Sequence, residues 1–224
     1  MSNPISDHNK DITFKILAQE YKDKSFDALG VKLPKIEKFL STQLPHIMAS
    51  EMRCDNVFLL EDGRVLIVDY ESTVKTSDIM KYLGYTYFVL KYLFNEDSKL
   101  RKVVLLIIYT GKTKKTSSHF DLGSVQINIE QVFLSKFNTD LLYTELKNKI
   151  ELCGALSDED ITKLIYLPLT ETRDENIQGV IRSTVELAKS IKDERQQLFA
   201  ISAILVVTDK FIKIIRPRLR SGFR

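Results

Sequence analysis

The sequence predicts an α/β fold, and three consecutive stretches carry that expectation. Asp55–Leu60 and Arg64–Glu71 are two strand-like runs separated by Glu61-Asp62-Gly63. A three-residue loop ending in glycine suits a type I turn followed by a left-handed bulge residue, so the runs read as a hairpin. Both are apolar on both faces, as central strands covered on each side should be. Next, Ile79, Leu83, Tyr87, Leu90 and Phe94 recur at helical spacing between Asp78 and Asn95, with Ser77 placed as N-cap and Asp78 complementing the helix dipole. Finally, Val103–Tyr109 is an uninterrupted apolar run within Arg101–Thr110 and reads as a strand buried on both faces. Hairpin, helix and buried strand in this order call for a crossover, with the last strand parallel to the one before the helix.

The remaining elements follow in chain order. Asp11–Tyr21 reads as a short helix. Pro34 to about Leu44 reads as another, because Pro34 suits a first turn and Ile36, Phe39 and Leu40 share a helical face until Pro45 ends it. His46–Glu51 is ambiguous, with a strand one option. Gly111–Asp121 is a polar loop carrying Lys112, Lys114 and Lys115, and Ser124–Leu134 is a further strand. The second half is mostly helical: Leu141–Leu152, a helix opened by a capping box at Ser157 with Asp160 in the third place, Asn176–Ile191, and Asp193 to Ile215, stopped by Pro217. The expected organisation is an α/β core over 11–135 and a helical part over 136–224 packed on the same core, ending in a basic tail from 210.

A chain of 224 residues that is 44% hydrophobic can bury one sizeable core. A net charge of +3 does not by itself mark a nucleic-acid binder. The distribution says more: Lys210, Lys213, Arg216, Arg218, Arg220 and Arg224 stand in a segment with no acidic residue, which suits either an acidic partner or a solvated end. Cys54 and Cys153 form no ligand cluster and no disulfide framework, the N-terminus has no apolar signal core, and no apolar run spans a bilayer. The expectation is a soluble, cytoplasmic protein.

The chemistry is concentrated in "VLIVDYESTVK", Val65 to Lys75. Strand alternation puts Asp69 and Glu71 on one face and Tyr70 on the other. If the loop has three residues, Leu60 pairs with Arg64 and Asp55 with Asp69, so Asp55, Asp69 and Glu71 share a face. A two-residue Asp-Gly turn sets Asp55 opposite Tyr70 and dissolves the group. The glycine in third place favours the first register. Three carboxylates on an apolar sheet need a counter-charge. A hard divalent cation, Mg²⁺ or Mn²⁺, suits oxygen ligands and activates water for attack on a phosphodiester. Carboxylates at a strand end also commonly just face water or a lysine.

Arg53–Thr73 ("RCDNVFLLEDGRVLIVDYEST"), the helix Ile79–Tyr92 and the strand Val103–Lys112 together resemble the PD-(D/E)XK nuclease superfamily. Within it, they look most like the recombination-promoting nuclease and transposase-like group. "DLGS" (Asp121–Ser124) and "LSDEDITKLIYLPLT" (Leu156–Thr170) echo the same group, so the resemblance covers most of Asp11–Thr170. It implies a restriction-endonuclease-like mixed sheet whose hairpin carries the acidic cluster, flanked by helices. It implies Asp55 and Asp69 as metal ligands, the carbonyl of Tyr70 near the metal, and DNA as partner, with a homodimer as one arrangement. Glu71 falls where the family has lysine or, in this group, glutamine, and Asp69 where the group usually has glutamate. Lys75 and Lys81 are nearby cations that can supply the missing charge. For Lys81 the resemblance adds weight, since a basic residue often stands there with an aromatic four positions later, here Tyr85. Glu37, on the helix expected before the hairpin, is a candidate extra ligand or a solvated helix residue.

Two functions of different class follow. One is a Mg²⁺- or Mn²⁺-dependent DNA endonuclease in recombination or mobile-element transactions, with Asp55, Asp69 and Glu71 catalytic and metal-binding, and Lys75, Lys81, Lys112, Lys114 and Lys115 contacting DNA. The other is a nuclease-like module that binds DNA or a protein without cutting, because Glu71 has replaced the water-orienting group. An interaction protein working through its helical half is a third, more distant expectation.

Overall fold

A computed structural model describes residues 26–40, 55–153, 156–171 and 177–211. It is an α/β protein with a six-stranded open mixed sheet in the order β1-β2-β3-β4-β6-β5. The strands are β1 (Ile36–Leu40), β2 (Asn56–Leu60), β3 (Val65–Glu71), β4 (Val103–Tyr109), β5 (His119–Asp121) and β6 (Gln126–Phe133). The helices are α1 (Asp78–Asp97), α2 (Thr139–Cys153), α3 (Asp158–Tyr166), α4 (Ile177–Lys189) and α5 (Glu194–Phe211). The expected elements at Asp11–Tyr21 and His46–Glu51, and the tail beyond Phe211, lie outside the described residues.

The hairpin has the three-residue register. Asn56 pairs with Val68 and Leu59 with Val65. Leu60 N–H donates to Arg64 O at 2.8 Å, Gly63 N–H donates to Leu60 O at 2.9 Å, and Gly63 has φ +81°. This is the type I turn with its left-handed glycine, a conformation that costs any other L-residue about 1–2 kcal/mol. β3 and β4 run parallel in register from Val65↔Val103 to Glu71↔Tyr109, joined by α1 as the crossover.

Pro34–Leu44 is corrected: Ile36–Leu40 is a strand, antiparallel to β2. Ile36 pairs with Leu60 and Phe39 with Phe58, and the register shifts between Ile36 and Lys38. That irregularity adds one residue to the alternation. Ile36 and Phe39, three apart, therefore reach the same face and imitate a helical spacing. Ser77 precedes α1 as expected, but its backbone is already helical and its side chain makes no cap. The Asp78 carboxylate instead accepts from Lys75 N–H at 3.1 Å, closing the turn that leads into the helix. The polar loop after β4 contains one short strand, β5, on the sheet edge beside β6.

Two apolar clusters sandwich the sheet. On one face, Tyr82, Tyr85, Val89 and Leu93 of α1 pack on Val65, Ile67, Leu105 and Ile107. On the other, residues of α2–α5, among them Leu146, Leu164, Ala188 and Ile204, pack on Phe58, Leu66, Val68, Leu106 and Ile108. The helical second half thus shares one core with the sheet. The Ser157 capping box forms: Ser157 Oγ accepts from Asp160 N–H at 3.2 Å, and Asp160 Oδ2 accepts from Ser157 N–H at 3.2 Å. Ser157→Ala is expected to cost about 1 kcal/mol in urea denaturation. An unchanged midpoint would show that the cap contributes nothing. Among the described residues no helix is long and apolar enough to cross a membrane.

Candidate active site

The parallel strands β3 and β4 end at the same edge, and helices cover both faces there. Carboxyl ends of parallel strands are where open α/β sheets place ligand sites. Asp69 is the fifth residue of β3, and its alternation sends it to the α1 face, where it is buried to 3% exposure. Glu71 follows on the same face at the strand end, half-buried. Asp55 stands just before β2, in the position that the ladder extends opposite Asp69. Its Oδ2 accepts from Tyr70 N–H at 3.2 Å, which fixes it against β3.

Two lysines meet these acids. Lys81, one turn into α1, has Nζ 2.6 Å from Asp69 Oδ2 and also donates to Glu71 Oε1. Tyr82 Oη donates to the same Glu71 oxygen at 3.4 Å. Lys81 also lies over the rings of Tyr82 and Tyr85, at 5.2 and 5.7 Å, a cation–π geometry that explains the aromatic four positions on. From the other layer, Lys210 near the end of α5 places Nζ 2.9 Å from Asp55 Oδ1.

The electrostatics follow from burial. Asp69 is pushed up to about 8, first by burial and then by the neighbouring charge of Asp55, against the pull of Lys81. Burial alone would lower Lys81, but Asp69 and Glu71 outweigh it and hold the ammonium above the usual lysine range. Both acids favour the charged ammonium. Burial, then the charge of Glu71, pushes the Tyr82 phenol up, so it remains a neutral donor.

The donor set is suited to a hard cation. Asp55 and Asp69 offer oxygens only, and Asp69 Oδ2 is buried with the Lys81 ammonium 2.6 Å away. Mg²⁺ is commonly held by one or two carboxylates, with water and substrate completing its shell. Among the described residues, however, no three acidic, histidine or cysteine side chains converge as a metal group. Asp55 and Asp69 lie side by side, while Glu71 accepts from Tyr82 and from Lys81, the same lysine that reaches Asp69.

The loop after β4 starts against this site. Thr110 N–H donates to Glu71 O at 2.9 Å, and a Cβ on Gly111 would stand 2.0 Å from Ser72 O. Further along, Lys112, Lys114 and Lys115 are exposed, and Lys114 pairs with Glu171. Lys75 is exposed in the turn before α1. The structure does not bring these four lysines onto the acids as it does Lys81. Glu37 is an exposed residue of β1, not a helix residue.

Three contributors escaped the sequence reading: Lys210 as a site residue, Tyr82, and Tyr166. Tyr70 points away from the acids, and its hydroxyl lies 2.8 Å from the Tyr166 hydroxyl. Lys210 is separated from Asp55 by 155 residues, so no local pattern joins them. Tyr82, adjacent to Lys81, lies off the stripe that the spacing picked out: α1 buries Tyr82, Tyr85, Val89 and Leu93, while Tyr87 and Phe94 of the expected stripe are exposed. Comparison of the chain with protein-family models, with curated proteins and with solved structures found no match.

Proposed function

We propose that the chain is a metal-dependent DNA endonuclease of the restriction-endonuclease-like kind, hydrolysing phosphodiesters. The observation that carries the reading is the Asp55–Asp69–Glu71–Lys81 group at the carboxyl ends of a hairpin strand and its parallel neighbour. Asp55 and Asp69 would hold Mg²⁺ or Mn²⁺, and a bound ion supplies an activated water and charge stabilisation at the phosphate. Glu71 stands where the resemblance expects lysine or glutamine, and it recruits Lys81 from α1. The ammonium thereby occupies the acidic group from the helix rather than from the strand. As an ammonium it would orient water and balance the phosphate. Lys112, Lys114 and Lys115, on the loop that starts beside Glu71, are the proposed backbone contacts to DNA.

The test is plasmid nicking in Mg²⁺ or Mn²⁺, with Asp55→Ala and Asp69→Ala. Metal-dependent nicking should fall by roughly 100-fold or more in both variants. Nicking retained in both would move the chemistry elsewhere. The second reading, a module that binds DNA or protein without cutting, is favoured by one observation: Lys81 and Lys210 already neutralise the acids. Absence of nicking with either metal would select it.

A further inference from the structure

α5 buries Ala200, Ala203, Ile204 and Val207 against the sheet. Lys210 lies three residues after Val207 and seven after Ala203, so helical spacing continues the buried stripe into a lysine. A charge there needs a reason, since a solvated face was one residue away. Its surroundings are specific. The ammonium lies 5.6 Å from the Tyr70 ring centre and 5.3 Å from that of Phe211, and those two rings are 5.2 Å apart. Tyr70 is itself tied to Tyr166 through their hydroxyls. The aromatic pair therefore steers the ammonium to one point, Asp55 Oδ1 at 2.9 Å.

Asp55 has two oxygens with different obligations. Oδ2 accepts from the Tyr70 backbone N–H, a bond set by the hairpin. Oδ1 faces Lys210. A cation that approaches Asp55 through Oδ1 competes with Lys210 for it. Lys81 sits on the other acids, Asp69 and Glu71.

We propose that Lys210 is a tethered counter-ion of Asp55 that a divalent cation must displace, so that the end of α5 sets the metal affinity of the site. This rests on the reading of Asp55 as a metal ligand. The displaced pair is partly exposed, 22% and 27% at the two side chains, so its effect is moderate. Releasing Asp55 should tighten binding by about tenfold.

Mn²⁺ titration by calorimetry, without DNA, tests this on the full chain. Lys210→Gln should bind Mn²⁺ about tenfold more tightly than the wild type. Lys210→Arg, which keeps a cation on Asp55, should stay close to the wild type. Lys136→Gln removes the same charge from a lysine that lies over the Phe133 ring instead, and should change affinity by less than about twofold. Equal affinity of Lys210→Gln and wild type overturns the counter-ion role and leaves the endonuclease reading standing. Equal tightening by Lys136→Gln overturns it too, by reducing the effect to net charge. No Mn²⁺ binding in any of these proteins removes the metal site, and with it both readings.

Discussion

Asp69→Asn is expected to make the protein more stable than the wild type at pH 9, while destroying any metal-dependent cleavage. The Asp69 carboxyl titrates near 3.8 when unfolded and is pushed up to about 8 in the fold, by burial and then by Asp55. Between these values the folded chain binds more protons than the unfolded one, so stability falls as pH rises. The loss begins above the unfolded value and is complete above the folded one. Each pH unit of that window is worth about 1.4 kcal/mol, so even half of it costs about 3 kcal/mol. Asparagine keeps the shape of the protonated acid and removes the titration, leaving Lys81 its partner Glu71. Urea denaturation at pH 5, 7 and 9 should show the gap between variant and wild type widening with pH. Parallel profiles would mean that Asp69 is ionised throughout and that Lys81 fully compensates it.

Gly111→Ala is expected to destabilise the fold by about 3 kcal/mol and to weaken the site with it. The new methyl group would meet a backbone oxygen, Ser72 O, at 2.0 Å, with Ser72 C at 3.0 Å. That backbone cannot simply swing aside, because Glu71 O is held by Thr110 N–H at 2.9 Å and Thr110 Oγ1 at 3.3 Å. Relief must therefore separate the ends of β3 and β4, moving Glu71 away from Lys81. Gly63→Ala is the informative comparison. Nothing lies within 4 Å of a Cβ there, and only its positive φ is offended, at about 1–2 kcal/mol. A Gly111→Ala protein that melts no lower than Gly63→Ala would show that the two strand ends are loose.

The hairpin, β4 and the helical second half were legible because each rests on a local rule; the extent of α1 was legible too, but its buried face was not, since Tyr87 and Phe94 are exposed. Gly63 selected the loop length, and the loop length selected the register that brings Asp55 to Asp69. Ser157 and Asp160 marked a helix start within four residues. β1 was not legible, because its bulge moved Phe39 onto the face of Ile36 and replaced a period of two by a spacing of three. Nor was the partner of Asp55. Helical periodicity placed Lys210 on a stripe, but only the docking of α5 on the sheet shows which acid lies beneath it. Glu71 read from the strand looked like a third metal ligand. The fold sets it against Lys81, a cation the sequence had offered, and against Tyr82, which lay off the expected helix stripe.

The separation of 155 residues between Lys210 and Asp55, against ten between Lys81 and Glu71, has a kinetic meaning. In an unfolded chain the longer loop costs about 2 kcal/mol more entropy to close. The β3–α1–β4 unit can bring Asp69, Glu71 and Lys81 together from short-range contacts alone, whereas Lys210 reaches Asp55 only after the last helix has docked. Contact order thus favours the Lys81 pairing forming before the Lys210 one, which makes the Lys210–Asp55 pair a marker that α5 has docked.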